Sequence, residues 1–346
     1  MPVNPLTASP GNRRVTLLDV AAAAGVSVAT CSYVLSGRTD RTRLLPEETQ
    51  QKVTEAARRL GYTGNTAARM LRRQRTELIA LVYAPPVGPW LDRLTMQCQD
   101  LAADHGYSVV GLPIRRPDRA EHALRVITQG YVDGAIFTHG MADTLDLDRL
   151  SHSTRALLAF SEHLPAGPAD VVRNRTRLAI AGATRHLFES GRSRVAFLSH
   201  RPLDGAGADD DLYQGYLDAH REKQRTADPA LVQAGASSRE EAVVAVRDLL
   251  RLPDPPEALL SESDRGALAG MQAARDLGVR VPEDLAVVGV GNTSEAAFAS
   301  PPLTSVGMAE FDFTAVIELL FARIDDPNQP CRALDMPWVL NIRSST

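Results

Sequence analysis

From Thr76 onward, short apolar runs rich in β-branched residues alternate with amphipathic stretches of helical period, and this alternation constrains the chain more than any other feature. Strands are expected at 78–83, 108–112, 134–138, 156–160, 194–199, 230–233, 258–261 and 285–290. Helices are expected at 90–105, 119–130, 176–190, 212–221, 239–252 and 265–277. A continuously apolar strand is covered on both faces, and strands separated by helices pair in parallel. These units are too many for one small sheet. The expected fold is therefore α/β, with two doubly wound parallel-sheet subdomains and a binding cleft at the carboxyl ends of their strands.

The first 75 residues have a different texture and the opposite charge. They hold 12 basic residues against 5 acidic ones (+7), whereas the rest of the chain holds 26 against 37 (−11). A small basic head on an acidic body points to a polyanion-binding module joined to another domain. Residues 1–14 read as a loose tail without the apolar core of a secretory signal, and no apolar run is long enough to span a membrane. The cysteines, at 31, 98 and 331, have neither a CxxC motif nor metal-ligand spacing, which suits packing roles in a reducing compartment. A cytoplasmic location is expected.

Within the head, Thr16 can cap a helix with an apolar stripe of Leu17, Val20, Ala21 and Ala24, and Gly25 can end it. A second helix is expected from Ser27 to about Leu35. Pro46 opens a third, through Val53, Ala56, Ala57 and Leu60 to Gly61, and 65–73 is a fourth candidate. Ala24-Gly25-Val26-Ser27 joins the first two in the manner of a helix-turn-helix. On the second helix, Cys31, Val34 and Leu35 fall inward, and Val28, Ala29, Ser32 and Tyr33 fall outward. That outward face can enter a major groove, with Val28 and Ala29 against thymine methyls and Tyr33 stacking or hydrogen-bonding. An ordinary helical hairpin fits the same pattern.

The order of residues resolves more. Thr16-Leu17-Leu18-Asp19-Val20-Ala21, Ala24-Gly25-Val26-Ser27, Ala29-Thr30, Ser32 and Val34-Leu35-Ser36-Gly37 resemble the head of the LacI/GalR repressors. The resemblance runs on through Pro46-Glu47-Glu48-Thr49, Leu60-Gly61-Tyr62 and Asn65-Thr66-Ala67-Ala68-Arg69-Met70-Leu71. It reaches the body through Asp133-Gly134, Val281-Pro282-Glu283-Asp284, Pro301-Pro302-Leu303-Thr304 and Arg343-Ser344-Ser345-Thr346. It implies a flexible tail over 1–14, an all-α helix-turn-helix DNA-binding head over 15–64, a hinge helix over 65–75, and a periplasmic-binding-protein-like, effector-binding and dimerising core over 76–346. That core is divided into about 76–160 plus 307–335, and about 161–306 plus the C-terminal strand.

The implied operator contacts are Thr16, Ser27, Val28, Ala29, Thr30, Ser32, Tyr33 and Ser36 in the head, and Asn65, Ala68, Arg69, Leu71 and Arg72 in the hinge. Leu71 matches the leucine that wedges between base pairs in the minor groove, a contact that kinks the duplex. Two features depart from the family. The loop 38–45 is longer than usual and adds arginines, and Tyr33 stands where Arg or His is common.

In the body, Trp90 matches an aromatic that stacks on the effector, and Asp264 matches the Asp of an Asn-Asp pair at a strand end, where it grips hydroxyls or caps the next helix. The expected cleft lining is Trp90, Phe137, His139, Phe160, Ser161, Asp264 and Asn292. The family's sugar grip is depleted: Ser263 replaces the Asn of that pair, Leu212 an Arg, Gly291 an Asp, and Arg173-Asn174 an Asp-Asn pair. Losing a bidentate Arg and a carboxylate argues against a simple sugar as effector.

No GxSxG, HExxH, P-loop or strand-linked GxGxxG occurs, and no metal or cofactor is expected. Asp209-Asp210-Asp211 reads as a solvated loop at a cleft rim. The resulting expectation is a homodimeric transcriptional regulator, read first as a repressor with an activator left open, acting on near-palindromic operator DNA and modulated by a small molecule. The alternatives are a sugar- or nucleoside-processing enzyme with an accessory basic head, and a regulator with a vestigial effector site.

Overall fold

A computed structural model describes residues 15–35, 45–62, 75–85, 88–116, 120–203 and 210–346. The chain divides into two compact units between Arg75 and Thr76.

The first unit is helical. Helix α1 (Leu17–Ala24) opens on a reciprocal cap: the Thr16 hydroxyl accepts from the Asp19 amide, and the Asp19 carboxylate accepts from the Thr16 amide at 2.8 Å. It closes at Gly25, whose φ of +67° is the left-handed conformation that a glycine adopts without steric cost. Ser27 then caps α2 (Val28–Leu35) by accepting from the Thr30 amide at 3.0 Å. The two helices turn by 105° across this break, within the range of a helix-turn-helix. Helix α3 (Glu47–Leu60) lays Val53, Ala56 and Ala57 on Val20, Ala21 and Cys31, so three short helices that are too small to be stable alone share one core.

The second unit holds two six-stranded sheets. The first is wholly parallel, in the order β11-β5-β4-β3-β1-β2, from β1 (Leu78–Tyr83), β2 (Ser108–Pro113), β3 (Gly134–Phe137), β4 (Ala156–Phe160), β5 (Asp170–Arg173) and β11 (Ala333–Asp335). Helices α4 (Pro89–Asp104), α5 (Ala120–Thr128), α6 (Leu147–Ser151) and α12 (Thr314–Asp325) accompany it. The second sheet runs β12-β10-β9-β8-β6-β7, from β6 (Val195–Leu198), β7 (Val232–Gln233), β8 (Ala258–Ser261), β9 (Ala286–Val290), β10 (Thr304–Gly307) and β12 (Val339–Asn341), and only the β10–β12 pair is antiparallel. Its helices are α7 (Thr176–Glu189), α8 (Asp211–Glu222), α9 (Arg239–Leu250), α10 (Asp264–Asp276) and the short α11 (Ser294–Ala297).

The chain leaves the first sheet later than expected. Asp170–Arg173 pairs with β4 in the first sheet, so the change of subdomain follows Arg173 and not residue 160. Sequence patterning gives no strand here because the run is charged at both ends, with only Val171 and Val172 apolar between Asp170 and Arg173. Asp170 is buried there against Arg323 of α12. The chain returns to the first sheet for α12 and β11 and crosses once more to β12, and Trp338 in that last crossing packs against apolar groups of both halves.

Candidate functional site

On the head, α2 carries Cys31 fully into the core, while Ala29 and the 41% exposed Val28 stand out at its N-terminal end. Thr30, Ser32 and Tyr33 are half-buried, and Val34 and Leu35 pack inward. Thr16 and Ser27 are exposed, but their hydroxyls are engaged as helix caps, and Thr30 shares its hydroxyl with Ser27 at 2.8 Å. The side chains most available to a ligand are thus those in the first turn of α2. That is the part of a recognition helix that meets base edges. Ser36, Asn65, Ala68, Arg69, Leu71 and Arg72 lie outside the described residues.

In each sheet of the second unit the strand order reverses at one point: between β1 and β3 in the first, and between β6 and β8 in the second. Open α/β sheets bind ligands beyond the carboxyl ends of the strands flanking such a point. Next to the first reversal, Trp90 stands in the first turn of α4 with its ring 5.5 Å from His139, 4.9 Å from Phe160 and 5.4 Å from Phe313. His139 is also 6.0 Å from Trp338. The Nδ2 of Asn174 donates to the Met336 carbonyl at 2.8 Å, so its Oδ1 accepts from His139 at 2.8 Å and the imidazole proton is assigned to Nε2. Burial holds the His139 pKa below its ordinary value, an effect the Asn174 bond partly opposes, so the ring is neutral at pH 7.

At the second reversal the turn after β6 (Ser199, His200) meets Glu262, the residue after β8. The Glu262 carboxylate accepts from Ser199 Oγ at 2.7 Å and from the His200 amide at 3.1 Å. The loop after β4 then reaches toward the second subdomain, where His163 Nε2 lies 3.0 Å from the Asp211 carboxylate in the first turn of α8. Burial raises the Asp211 pKa, and His163 opposes that rise.

The structure groups Trp90, His139 and Phe160 and adds Phe313 and Trp338, which the sequence reading missed. Phe160 is fully buried and meets the Trp90 ring edge-on, at an interplanar angle of 82°. Three expected lining residues do other work, and a fourth is fully engaged. Phe137 points to the opposite face of the first sheet, among Ala80, Val82 and Ala159, because side chains alternate along β3. Ser161 is buried in a turn, donating to Asp143 and accepting from the His163 and Leu164 amides at 3.1 Å. Asp264 is 2% exposed and accepts from the Thr293 amide at 2.7 Å and from Ser305 Oγ at 2.5 Å. Burial raises its pKa against these bonds. The cap of α10 falls to Ser263, which accepts from the Gly266 amide at 3.1 Å. Asn292 donates Nδ2 to the Met308 carbonyl at 2.7 Å, while its Oδ1 accepts from Arg343.

The positions depleted of the sugar grip are apolar or crowded. Leu212 packs beside the Phe197 and Tyr216 core. At Gly291, φ is +129° and an added Cβ would stand 3.3 Å from Asp264 Oδ2, so this backbone rejects a carboxylate side chain. Asp210 caps α8 and pairs with Arg201 at 2.5 Å, while Asp209 lies outside the described residues. Among the described residues no cluster of three metal-ligating side chains occurs, and no single helix is long and apolar enough to cross a membrane.

Residues 16–65 match the model of bacterial regulatory proteins of the lacI family, and residues 184–346 match a periplasmic binding protein-like domain. The chain belongs to the LacI/GalR family. Among similar family members, the HTH-type transcriptional repressor PurR of Aliivibrio salmonicida is 27% identical over 333 residues, covering 95% of this chain and 98% of the relative. PurR of Vibrio atlanticus is 28% identical over 330 residues, covering 93% and 95%. The transcriptional regulator CelR, solved with cellobiose, is 27% identical with a TM-score of 0.66, covering 96% of this chain and 100% of CelR. The lac repressor dimer bound to operator shares the fold at a TM-score of 0.78 and 23% identity, covering 96% and 99%.

Proposed function

We propose that this LacI/GalR-family regulator is a repressor that reads a near-palindromic operator as a homodimer, with operator affinity set by a small molecule in the cleft of residues 76–346. The observation that carries the reading is the capped helix-turn-helix, with Val28 and Ala29 exposed at the start of α2. One such motif spans too few base pairs for genomic specificity, and two-fold symmetry supplies the second half-site. Relatives spanning nearly the whole chain are named as repressors, which supports this reading over the enzyme alternative.

Ser199, His200 and Glu262 have the residue types of a hydrolytic triad, but the Ser199 hydroxyl is fully buried and donates to Glu262 rather than to an imidazole. Action on operator DNA places the protein in the cytoplasm. The cleft lacks the Arg and Asp of the sugar grip, and Ser161, Asp264 and Asn292 are committed to internal hydrogen bonds, so the effector is not a simple sugar. A gel-shift screen of metabolites against the protein bound to its genomic operator tests the reading, together with sedimentation of the complex. A monomer on the operator, or no sequence-selective binding, overturns it.

A further inference from the structure

The carboxylate of Glu262 is bonded on one side only. Its side chain is 1% exposed. Oε2 accepts from the Ser199 hydroxyl at 2.7 Å and from the His200 amide at 3.1 Å; His200 Nδ1 lies 3.1 Å away without a hydrogen bond, and Oε1 is buried with no hydrogen-bond partner among the described residues. Buried polar atoms in native proteins are nearly always paired, so a bare carboxylate oxygen calls for a reason. Among the described residues its only ion-pair partner is His200, charged only when protonated; no Arg or Lys answers it. The carboxylate sits where the strand order of the second sheet reverses, beyond the carboxyl ends of β6 and β8. At the corresponding edge of the first sheet stand the rings of Trp90, His139 and Trp338.

We propose that Glu262 is the specificity-determining acceptor of the cleft and that the effector is a cationic, planar nitrogen ligand of the amidine or aromatic-amine class, which donates N–H to Oε1. The charge decides between donors. A polyol satisfies the lone pair and leaves the buried charge unmet, whereas a cation satisfies both, and buried charges are tolerated when paired. An anion is rejected by the same carboxylate. Aromatic walls suit a planar cation, which the ring faces attract. The neutral state of His139 removes a competing positive charge from that wall.

The inference rests on the reading that the cleft binds an effector, and its test separates the two. Calorimetry at pH 7 with the full chain uses three near-isosteres on one ring: benzamidine, benzamide and benzoate. Benzamidine is expected to bind roughly tenfold or more tighter than either of the others, the scale of one charge-assisted hydrogen bond. In Glu262→Gln that preference falls to within about twofold, less than a charged hydrogen bond supplies. Glu262→Asp, which keeps the charge but draws it back by one methylene, weakens benzamidine in the same direction and serves if the first variant melts early. Equal binding of the three, a preference for benzoate, no benzamidine binding in the millimolar range, or a preference that survives both variants overturns the proposal. The last of these would leave Glu262 only an anchor for the turn after β6. Operator release is read separately by gel shift. Glu262-dependent benzamidine binding without any effect on operator affinity keeps this site and sinks the effector reading. Release by a neutral sugar, with no amidine binding, does the reverse.

Discussion

The Arg323 guanidinium grips the Asp170 carboxylate through two parallel hydrogen bonds of 3.0 Å, across 153 residues of sequence. Both side chains are essentially buried. Asp170 also accepts from the Arg332 amide at 2.7 Å, and Arg323 donates to the Pro330 carbonyl at 2.9 Å, so one pair fastens β5, α12 and the entry to β11. Breaking it by Asp170→Ala leaves a buried guanidinium without its counter-charge. The expected loss is about 3–5 kcal/mol of core stability, read as a lower denaturation midpoint of the whole core. A loss under about 1 kcal/mol would mean the pair behaves like a surface ion pair.

Substituting Val28 or Ala29 in the first turn of α2, or Tyr33 in its last, changes which operator bases are preferred. Arg72→Ala, outside the described residues, weakens all sites alike. Affinity for any operator also falls steeply with salt, as expected for several phosphate contacts. A binding-site selection on each variant checks this, and an unchanged base preference in all three α2 variants counts against α2 as the reading helix.

Leu71 also lies outside the described residues, and its role rests on its place in the hinge pattern. Leu71→Ala is expected to weaken operator binding by about a few kcal/mol and to reduce DNA bending, since an apolar wedge pays for an unstacked step. Circular-permutation bending assays decide it; a wild-type bend angle in the variant complex removes the wedge role.

Free hexoses and pentoses are expected to bind the core weakly or not at all. Leu212 and Gly291 carry neither the Arg nor the Asp of the family's sugar grip, and each missing charged hydrogen bond costs roughly 1.5–3 kcal/mol. Calorimetry against a panel of monosaccharides measures this. Micromolar binding of one that also releases the operator would refute it.

Core stability should decline as pH falls below about 6.5. His139 and His220 both have pKa values depressed by burial. Their unfolded forms therefore take up protons first, near the ordinary value of 6.5, and the folded state loses that much stability until its own lower pKa is reached. The melting temperature at pH 5.5 is expected below that at pH 7.5, with a smaller gap in His139→Asn. An identical gap in the variant would show that other groups carry the effect.

The head was legible in the sequence because its determinants are local. Thr16, Gly25, Ser27 and Gly61 act within a turn or two of themselves, and the apolar stripe of α1 needs only helical geometry to find its core. The uniformly apolar strands were legible for a similar reason, since an apolar run of four or five residues is too short for a buried helix and suits a central parallel strand. Tertiary structure alone decided the rest. The short strands β5, β10, β11 and β12 exist because neighbours supply their hydrogen bonds, and nothing inside three or four residues announces that. Phe137 and Phe160 look alike in sequence, but they end on opposite faces of one sheet because register assigns each side chain its face. The polar residues show the same limit. Asp264 finds its partners at Thr293 and Ser305, and Glu262 at Ser199, separations of 29, 41 and 63 residues. Whether a buried carboxylate closes an internal network or keeps one oxygen free for a ligand depends on which distant donors the fold brings within 3 Å, and no local pattern encodes that.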